Sequence, residues 1–434
     1  MKRLICTLLL LLTATTLAAR SYYLAPDGND ASDSSMQHPF ATLNRVQEVV
    51  EAGDTVWIRG GCYRIAPEQI MSYDRQYAHV FDLAKSGRRN QRICYFGLPG
   101  ERPVFDFSDV RPKGKRVSAF FVTGSWLHLR NFEIVGVQVT VKGHTQSECI
   151  SARGGSDCIF EHLAMHDGMA IGYYQTAGSN NLVLNCDAYN NYDPYSEGPY
   201  GGNVDGFGGH VLDARFTGNV FRGCRAWYNS DDGYDLIRAQ AAFEIIDCWS
   251  FLNGYQPGTL EPAGDGTGFK AGGYGMKPEV RPMPVVPRHI VRNCLAYRNR
   301  VKGFYANHHL GGITWINNTG YMNPSNFCML NRLSADIVRD TTGYGHVLVR
   351  NLSLEPRDPG AHLIQINPER CVLADNSFDP FAATAEPTEA DFVSLDPQEL
   401  MAPRKADGSL PDVHFLQVRK ESPLYGRGIG YQVE

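Results

Sequence analysis

The sequence predicts an all-β chain wound as a single parallel β-helix, and two recurring patterns predict it. The first is a six-residue unit of Cys or Asn, any residue, a small residue, a large apolar one, any residue and Asn. It reads Cys186–Asn191, Cys224–Asn229, Cys248–Asn253 and Cys294–Asn299, continues as Asn318–Asn323, and has a looser early copy in His162–Asp167. Successive copies are 24, 38, 24, 46 and 24 residues apart, so a unit near 24 recurs with insertions. Short apolar runs such as Leu182-Val183-Leu184 and His289-Ile290-Val291 precede the copies and read as strands closed by turns. Stacked units of this kind form a solenoid with one continuous core. The second pattern pairs glycine with an aromatic residue, in Asp205–Gly208, Asp232–Asp235, Thr267–Lys270 and Lys302–Tyr305.

The elements follow in order. Lys2 and Arg3 precede the apolar run Leu4 to Leu12, and Ala18 and Ala19 offer a cleavage site. Residues 1–19 therefore read as a cleavable export signal, too short to span a bilayer, and the protein is expected in the periplasm, at the cell surface or outside the cell. Residues 20–374 are expected to form the β-helix. Tyr22 to Gly28 supplies a first strand, Pro39 to Ala52 a short amphipathic helix with Leu43, Val46, Val49 and Val50 inward, and Val56-Trp57-Ile58 a strand. Such a helix covers the open end of a solenoid. In the repeats, the cysteine and the small third residue are expected to face inward and stack. The closing asparagine is expected to take the left-handed turn and to build an amide ladder. Ten cysteines follow the leader, of eleven in all. Export would suggest disulfides, but an inward stack of Cys186, Cys224, Cys248 and Cys294 favours free buried thiols. Residues 375–434 lose the repeat and are expected to pack along the solenoid or cap its end.

Aligned on glycine plus aromatic, the last column reads Gly208, Asp235, Lys270 and Tyr305, with steps of 27, 35 and 35 residues. Stacked coils would set these in a row about 4.8 Å apart. Asp205 and Asp232 share an earlier column, and Asp231 adjoins them. Carboxylates this close repel one another and need a cation or protons to coexist. Asp-Gly is also ordinary turn chemistry, but four aspartates converging beside Lys270 point to a metal site next to a base. Calcium, a hard cation that takes oxygen ligands, suits that donor set.

The opening Tyr22–Gly28 with Gly53–Val56 resembles the start of many carbohydrate-active right-handed parallel β-helices. The segments beginning at Asn203, Asn229, Asp265 and Lys302 resemble the core of polysaccharide lyase family 9, and Ala402 to Pro411 is similar to that family's tail. The resemblance implies cleavage of uronate-containing pectin by β-elimination, with calcium held by Asp205, Asp231, Asp232 and Asp235 and Lys270 as base. Where the resemblance leads one to expect Asp in pectate-cleaving members, this chain has Tyr305, which implies a change in substrate contacts and not in chemistry.

In a galacturonate unit the carboxylate acidifies the C5 proton, and a calcium ion on that carboxylate draws off developing charge. Lysine serves as base only when neutral, against an ordinary pKa of about 10.4. A nearby dication and partial burial would favour the neutral amine. The other reading of Lys270 is a salt bridge to Asp235. The chain carries a net charge of −5, so attraction to a polyanion must be local, through calcium and Arg238, Lys270, Arg298, Arg300 or Lys302, with Arg238, Lys302 and Tyr305 as substrate contacts. Homogalacturonan carries a carboxylate on every sugar and wants several cations. Tyr189, Tyr192, Tyr195 and Tyr200 with Tyr305 instead suit alternating acidic and neutral sugars, which favours rhamnogalacturonan I. Pectate lyase action is the alternative. A β-helical pectin hydrolase using Asp231 and Asp232, or a non-catalytic carbohydrate-binding solenoid, are rivals from other classes. No basic patch supports nucleic-acid binding, and a monomer is expected.

Overall fold

Why glycine and asparagine recur together is visible in the coils themselves. A computed structural model of the protein describes residues 19–143, 146–198, 201–275, 285–380 and 386–432. Most of the leader, residues 1–18, and Tyr200 lie outside the described residues. The chain winds as a right-handed parallel β-helix in which each coil adds one strand to each face. One face is an eleven-stranded sheet, parallel throughout except for its first strand, Ser72–Tyr73. Its middle strands are Ala170–Ala177, Phe207–Gly209, Tyr234–Asp235, Thr267–Lys270 and Lys302–Tyr305. The other two faces run together in a twenty-stranded sheet, joined where the long strands Leu127–Val135 and Ile159–His166 pass from one face to the next.

The inward aromatic of each glycine–aromatic pair stacks on its neighbour. Phe207, Tyr234, Phe269, Phe304 and Phe327 lie 5.1, 4.7, 5.0 and 4.8 Å apart, with planes within 14° of parallel. Such pairs add about 0.5–1.5 kcal/mol each to the burial of their area. The preceding glycines leave room for the asparagine ladder. A Cβ on Gly268 would meet the Asn299 amide nitrogen at 2.7 Å, and one on Gly303 the Asn323 amide nitrogen at 2.8 Å. The ladder runs Asn191, Asn229, Asn253, Asn299, Asn323 and Asn326, each Nδ2 donating to the next Oδ1 at 3.0 or 3.1 Å. The cysteines occupy a second corner. Cys186, Cys224, Cys248 and Cys294 are fully buried free thiols that donate to backbone carbonyls, and Asn318, Asn351 and Asn376 continue the column as amides.

Two expectations need correction. The left-handed residue is not the ladder asparagine but the one before it: Asn190, Tyr228, Leu252, Arg298 and Met322 have φ of 54, 51, 58, 47 and 54°. The ladder amide must point inward to donate and accept on both sides, so the chain turns one residue earlier, where identity is free. The N-terminal helix spans Leu43–Val49, shorter than Pro39 to Ala52, because Thr42 caps it by accepting from the Arg45 N–H and Val50 is extended. Leu43, Val46 and Val50 are buried in the core as expected, with Val49 packed at its edge.

Residues 386–432 lie along the outer face of the twenty-stranded sheet. Phe392, Leu400, Val413, Phe415, Leu416, Leu424 and Ile429 form a second apolar cluster with Trp227, Trp249, Phe251, Tyr297 and Tyr321. Among the described residues no helix is long and apolar enough to cross a membrane.

Candidate functional site

The eleven-stranded sheet presents two columns of side chains to one groove. Register pairs Tyr174, Gly208, Asp235, Lys270, Tyr305 and Cys328 in succession, so Asp235, Lys270 and Tyr305 do stand in one row. Asp205 and Asp232 stand two residues before the inward aromatics Phe207 and Tyr234, and Thr267 and Lys302 hold the same place in the next coils. Asp205 Oδ1 accepts the Asp232 N–H at 3.2 Å, and Asp232 Oδ1 accepts the Thr267 N–H at 2.6 Å, so each aspartate ties its coil to the next.

Asp205, Asp232 and Asp235 bring one carboxylate oxygen each within 4.8 Å of one another, all three buried. Asp231 lines the same pocket but stands outside that closest group, and its Oδ1 accepts the Asp265 N–H at 3.1 Å. Lys270 Nζ lies 2.7 Å from Asp232 Oδ2 and 3.0 Å from Asp235 Oδ2. The nearer partner is thus Asp232, one coil back in the adjoining column, and not Asp235 alone.

Electrostatics follow from this crowding. Burial and the surrounding Asp231, Asp235 and Asp232 carboxylates push Asp205 well above the usual carboxylate range, and burial with Asp232 does the same to Asp231. Asp232 is also raised, since burial and Asp235 outweigh Lys270. Burial of Lys270 disfavours its charge, but Asp232 and Asp235 overrule it and hold the amine well above its ordinary value. Partial burial therefore does not by itself make Lys270 neutral, because the two nearest groups are anions. One ammonium cannot balance four carboxylates. This surplus of buried hard oxygen donors fits a divalent, oxygen-seeking cation.

The pocket, about 240 Å³, is lined by Asp205, Asp231, Asp235, Lys270, Arg238 and, among others, two residues the sequence reading passed over, Tyr174 and His210. Tyr174 was legible: Gly172-Tyr173-Tyr174 is an earlier copy of the glycine–aromatic pattern, lacking only a charge. Its hydroxyl meets His210 Nδ1 at 3.0 Å, and His210 Nε2 lies 3.6 Å from Asp235 Oδ2. Burial lowers the His210 pKa, while burial and Glu148 raise that of Tyr174. Arg238 reaches the pocket from a left-handed backbone, φ 60°. Tyr305 and Lys302 stand one coil beyond Lys270 and do not line the pocket; Lys302 Nζ sits 4.5 Å from the Tyr305 ring centre. Tyr189 is elsewhere: it stacks between His166 and Trp227 at 4.3 and 4.2 Å on the face that carries the tail. Tyr195 is exposed.

Comparison with known proteins decides the family. The family model described as "Pel9A-like, right handed beta helix region" matches residues 22–346. The chain belongs to this family, polysaccharide lyase family 9. Pectate lyase L of Dickeya dadantii (strain 3937) is 31% identical over 420 residues, covering 96% of this chain and 88% of that one. A solved structure of a rhamnogalacturonan lyase is 50% identical, with TM-score 0.91, over 95% of this chain and 99% of that one. The crystal structure of pectate lyase Pel9A is 30% identical, with TM-score 0.71, over 94% of this chain and 91% of that one. This family member is a polysaccharide lyase, which sets aside the hydrolase and the non-catalytic solenoid.

Proposed function

We propose that this lyase cuts a pectic polymer beside a galacturonate unit by β-elimination, with Lys270 as the base and the rhamnogalacturonan I backbone as preferred substrate. The observation that carries this reading is Lys270 Nζ, 2.7 Å from Asp232 and 3.0 Å from Asp235, beside three buried carboxylates that converge within 4.8 Å. Asp205, Asp232 and Asp235, with Asp231 at the pocket wall, would hold calcium. Bound there, calcium would neutralise the substrate carboxylate and take up the aspartate charge that otherwise keeps Lys270 protonated. Lys270 then removes the C5 proton. Arg238, in the same pocket, supplies a fixed cation for a uronate carboxylate.

Two observations support rhamnogalacturonan I over homogalacturonan. The rhamnogalacturonan lyase structure is far more similar to this chain than the pectate lyases are. Among the described residues, Arg238 is also the single Lys or Arg besides Lys270 that lines the pocket, and Lys302 stands one coil beyond Lys270 against the Tyr305 ring. A polymer with a carboxylate on every sugar would find fewer partners there than one in which neutral sugars alternate. An exported enzyme, as residues 1–19 suggest, would meet such polymers outside the cytoplasm.

The test is the ultraviolet absorbance of the unsaturated uronate product, followed with rhamnogalacturonan I and with polygalacturonate, each with calcium and with chelator. Calcium-dependent absorbance that grows faster on rhamnogalacturonan I is the expected result. Faster growth on polygalacturonate would reassign the polymer. Product in the presence of excess chelator would overturn the metal assignment.

A further inference from the structure

Elimination needs an acid as well as a base. In the galacturonate chair the C5–H and C4–O4 bonds stand axial on opposite faces of the ring, so the leaving oxygen departs on the side away from the base. It leaves as an alkoxide unless a proton is supplied there. We propose that Tyr174 supplies that proton, a role that rests on the lysine-base reading above.

The geometry that points to Tyr174 is its place in the column. Tyr174 and Lys270 lie on opposite sides of Asp235, in the order Tyr174, Gly208, Asp235, Lys270. Both line the same pocket. Between Tyr174 and Asp235 stands a residue without a side chain, and the tyrosine ring leans across it: a Cβ on Gly208 would lie 2.7 Å from the ring carbon Cδ2. The ring is clamped from above by the Arg153 guanidinium, 5.0 Å from its centre, and Arg153 is itself paired with buried Glu148. The hydroxyl is fixed at 3.0 Å from His210 Nδ1. The His210 ring is partly buried, and its enclosed Nε2 has no hydrogen-bond partner. A tyrosine held at ring, edge and hydroxyl, yet facing the pocket, is placed for chemistry at its oxygen.

Other donors fit less well. Tyr305 lies beyond Lys270, on the base's side of Asp235, with Lys302 over its ring. Arg238 lines the pocket but does not release a proton in a protein. Solvent water is the remaining competitor. In the step, Lys270 Nζ takes the C5 proton as the C4–C5 double bond forms. The C4–O4 bond breaks, and the departing oxygen takes the Tyr174 hydroxyl proton with its new electron pair. Lysinium and tyrosinate remain, and one proton passed from the first to the second, through solvent or His210, restores both.

The test compares Tyr174→Phe, Lys270→Met and the unaltered enzyme on the polymer the enzyme cleaves best, with calcium affinity by calorimetry and Tm measured for each. Tyr174→Phe is expected to lower kcat about 100-fold, leaving KM, calcium affinity and Tm unchanged. A kcat within about threefold of the unaltered enzyme would assign the proton to water and overturn the proposal. Loss of calcium affinity or of Tm alongside kcat would also overturn it, by making Tyr174 a structural support. Lys270→Met reports separately on the base: activity that survives this change would sink the lysine reading, which no result with Tyr174→Phe could do.

Discussion

At Lys270 a single side chain is held by two carboxylates, Asp232 at 2.7 Å and Asp235 at 3.0 Å, and this sets the pH behaviour of the site. Burial disfavours the ammonium, but the two anions win and raise its pKa well above the ordinary lysine value. A base must be neutral to act, so the rate rises with pH through that pKa. Whatever removes charge from Asp232 and Asp235 lowers the pKa and moves the rising limb to lower pH. With calcium as the agent, kcat/KM measured against pH at limiting and at saturating calcium should give two rising limbs, the saturating one at lower pH. A limb that stays in place would mean that the aspartates and the lysine are not coupled through the metal. The row Asp235, Lys270, Tyr305 was legible because glycine and aromatic residues repeat in register with the coils. Tyr174 escaped because its copy carries no charge, and His210 because nothing periodic marks it.

The coil owes its rigidity to a few polar side chains that face inward. Asn253 is the clearest: its Oδ1 accepts from the backbone and side-chain amides of Asn229 at 3.1 and 3.0 Å, and its Nδ2 donates to Ala226 O and to Asn299 Oδ1, both at 3.0 Å. It is fully buried. Asn253→Ala strands donors and acceptors on both neighbouring coils where no water reaches, at about 1–3 kcal/mol for each group left unpaired. Urea unfolding should show a loss of at least about 3 kcal/mol, summed over those groups, and a loss below about 1 kcal/mol would mean that the ladder is dispensable. The ladder was predicted from the recurring final asparagine, yet the turn was assigned to the wrong residue. Sequence spacing marks which position recurs, but not which of two adjacent residues carries the positive φ. Tyr228, Leu252 and Met322 hide it, since a left-handed residue is expected to be glycine or asparagine. Tyr189 was misplaced for a related reason: it projects from the strand Asp187–Tyr189, on a different face of the coil from the groove.

Across the whole molecule, one buried carboxylate ties the middle of the tail to the solenoid. Asp187 accepts from Arg225 Nε and Nη2 at 2.9 and 2.8 Å on the next coil and from Arg404 Nη2 at 2.6 Å in the tail. Arg225 also holds the tail carbonyls of Leu400 and Ala402. Burial opposes ionisation of Asp187, but Arg404 and Arg225 outweigh it and hold the carboxyl well below the usual carboxylate range. Its stabilising contribution is therefore complete above about pH 4, the ordinary aspartate value, and is lost as pH falls through the depressed folded value. Acid acts earlier elsewhere. Burial lowers His309 to about 4 and His346 to about 3, so the unfolded chain binds protons below about pH 6.5 that the folded one refuses, and stability declines from there downward. Asp187→Asn separates the two effects. It leaves two buried guanidiniums facing a neutral amide, at a cost of about 3–5 kcal/mol, and should free the tail for proteolysis near residues 400–410 at neutral pH. The decline between pH 6.5 and 4 should persist in this variant, because the histidines remain. A tail that resists protease in Asp187→Asn would show that the apolar cluster around Phe392, Leu400 and Phe415 holds it without the charges.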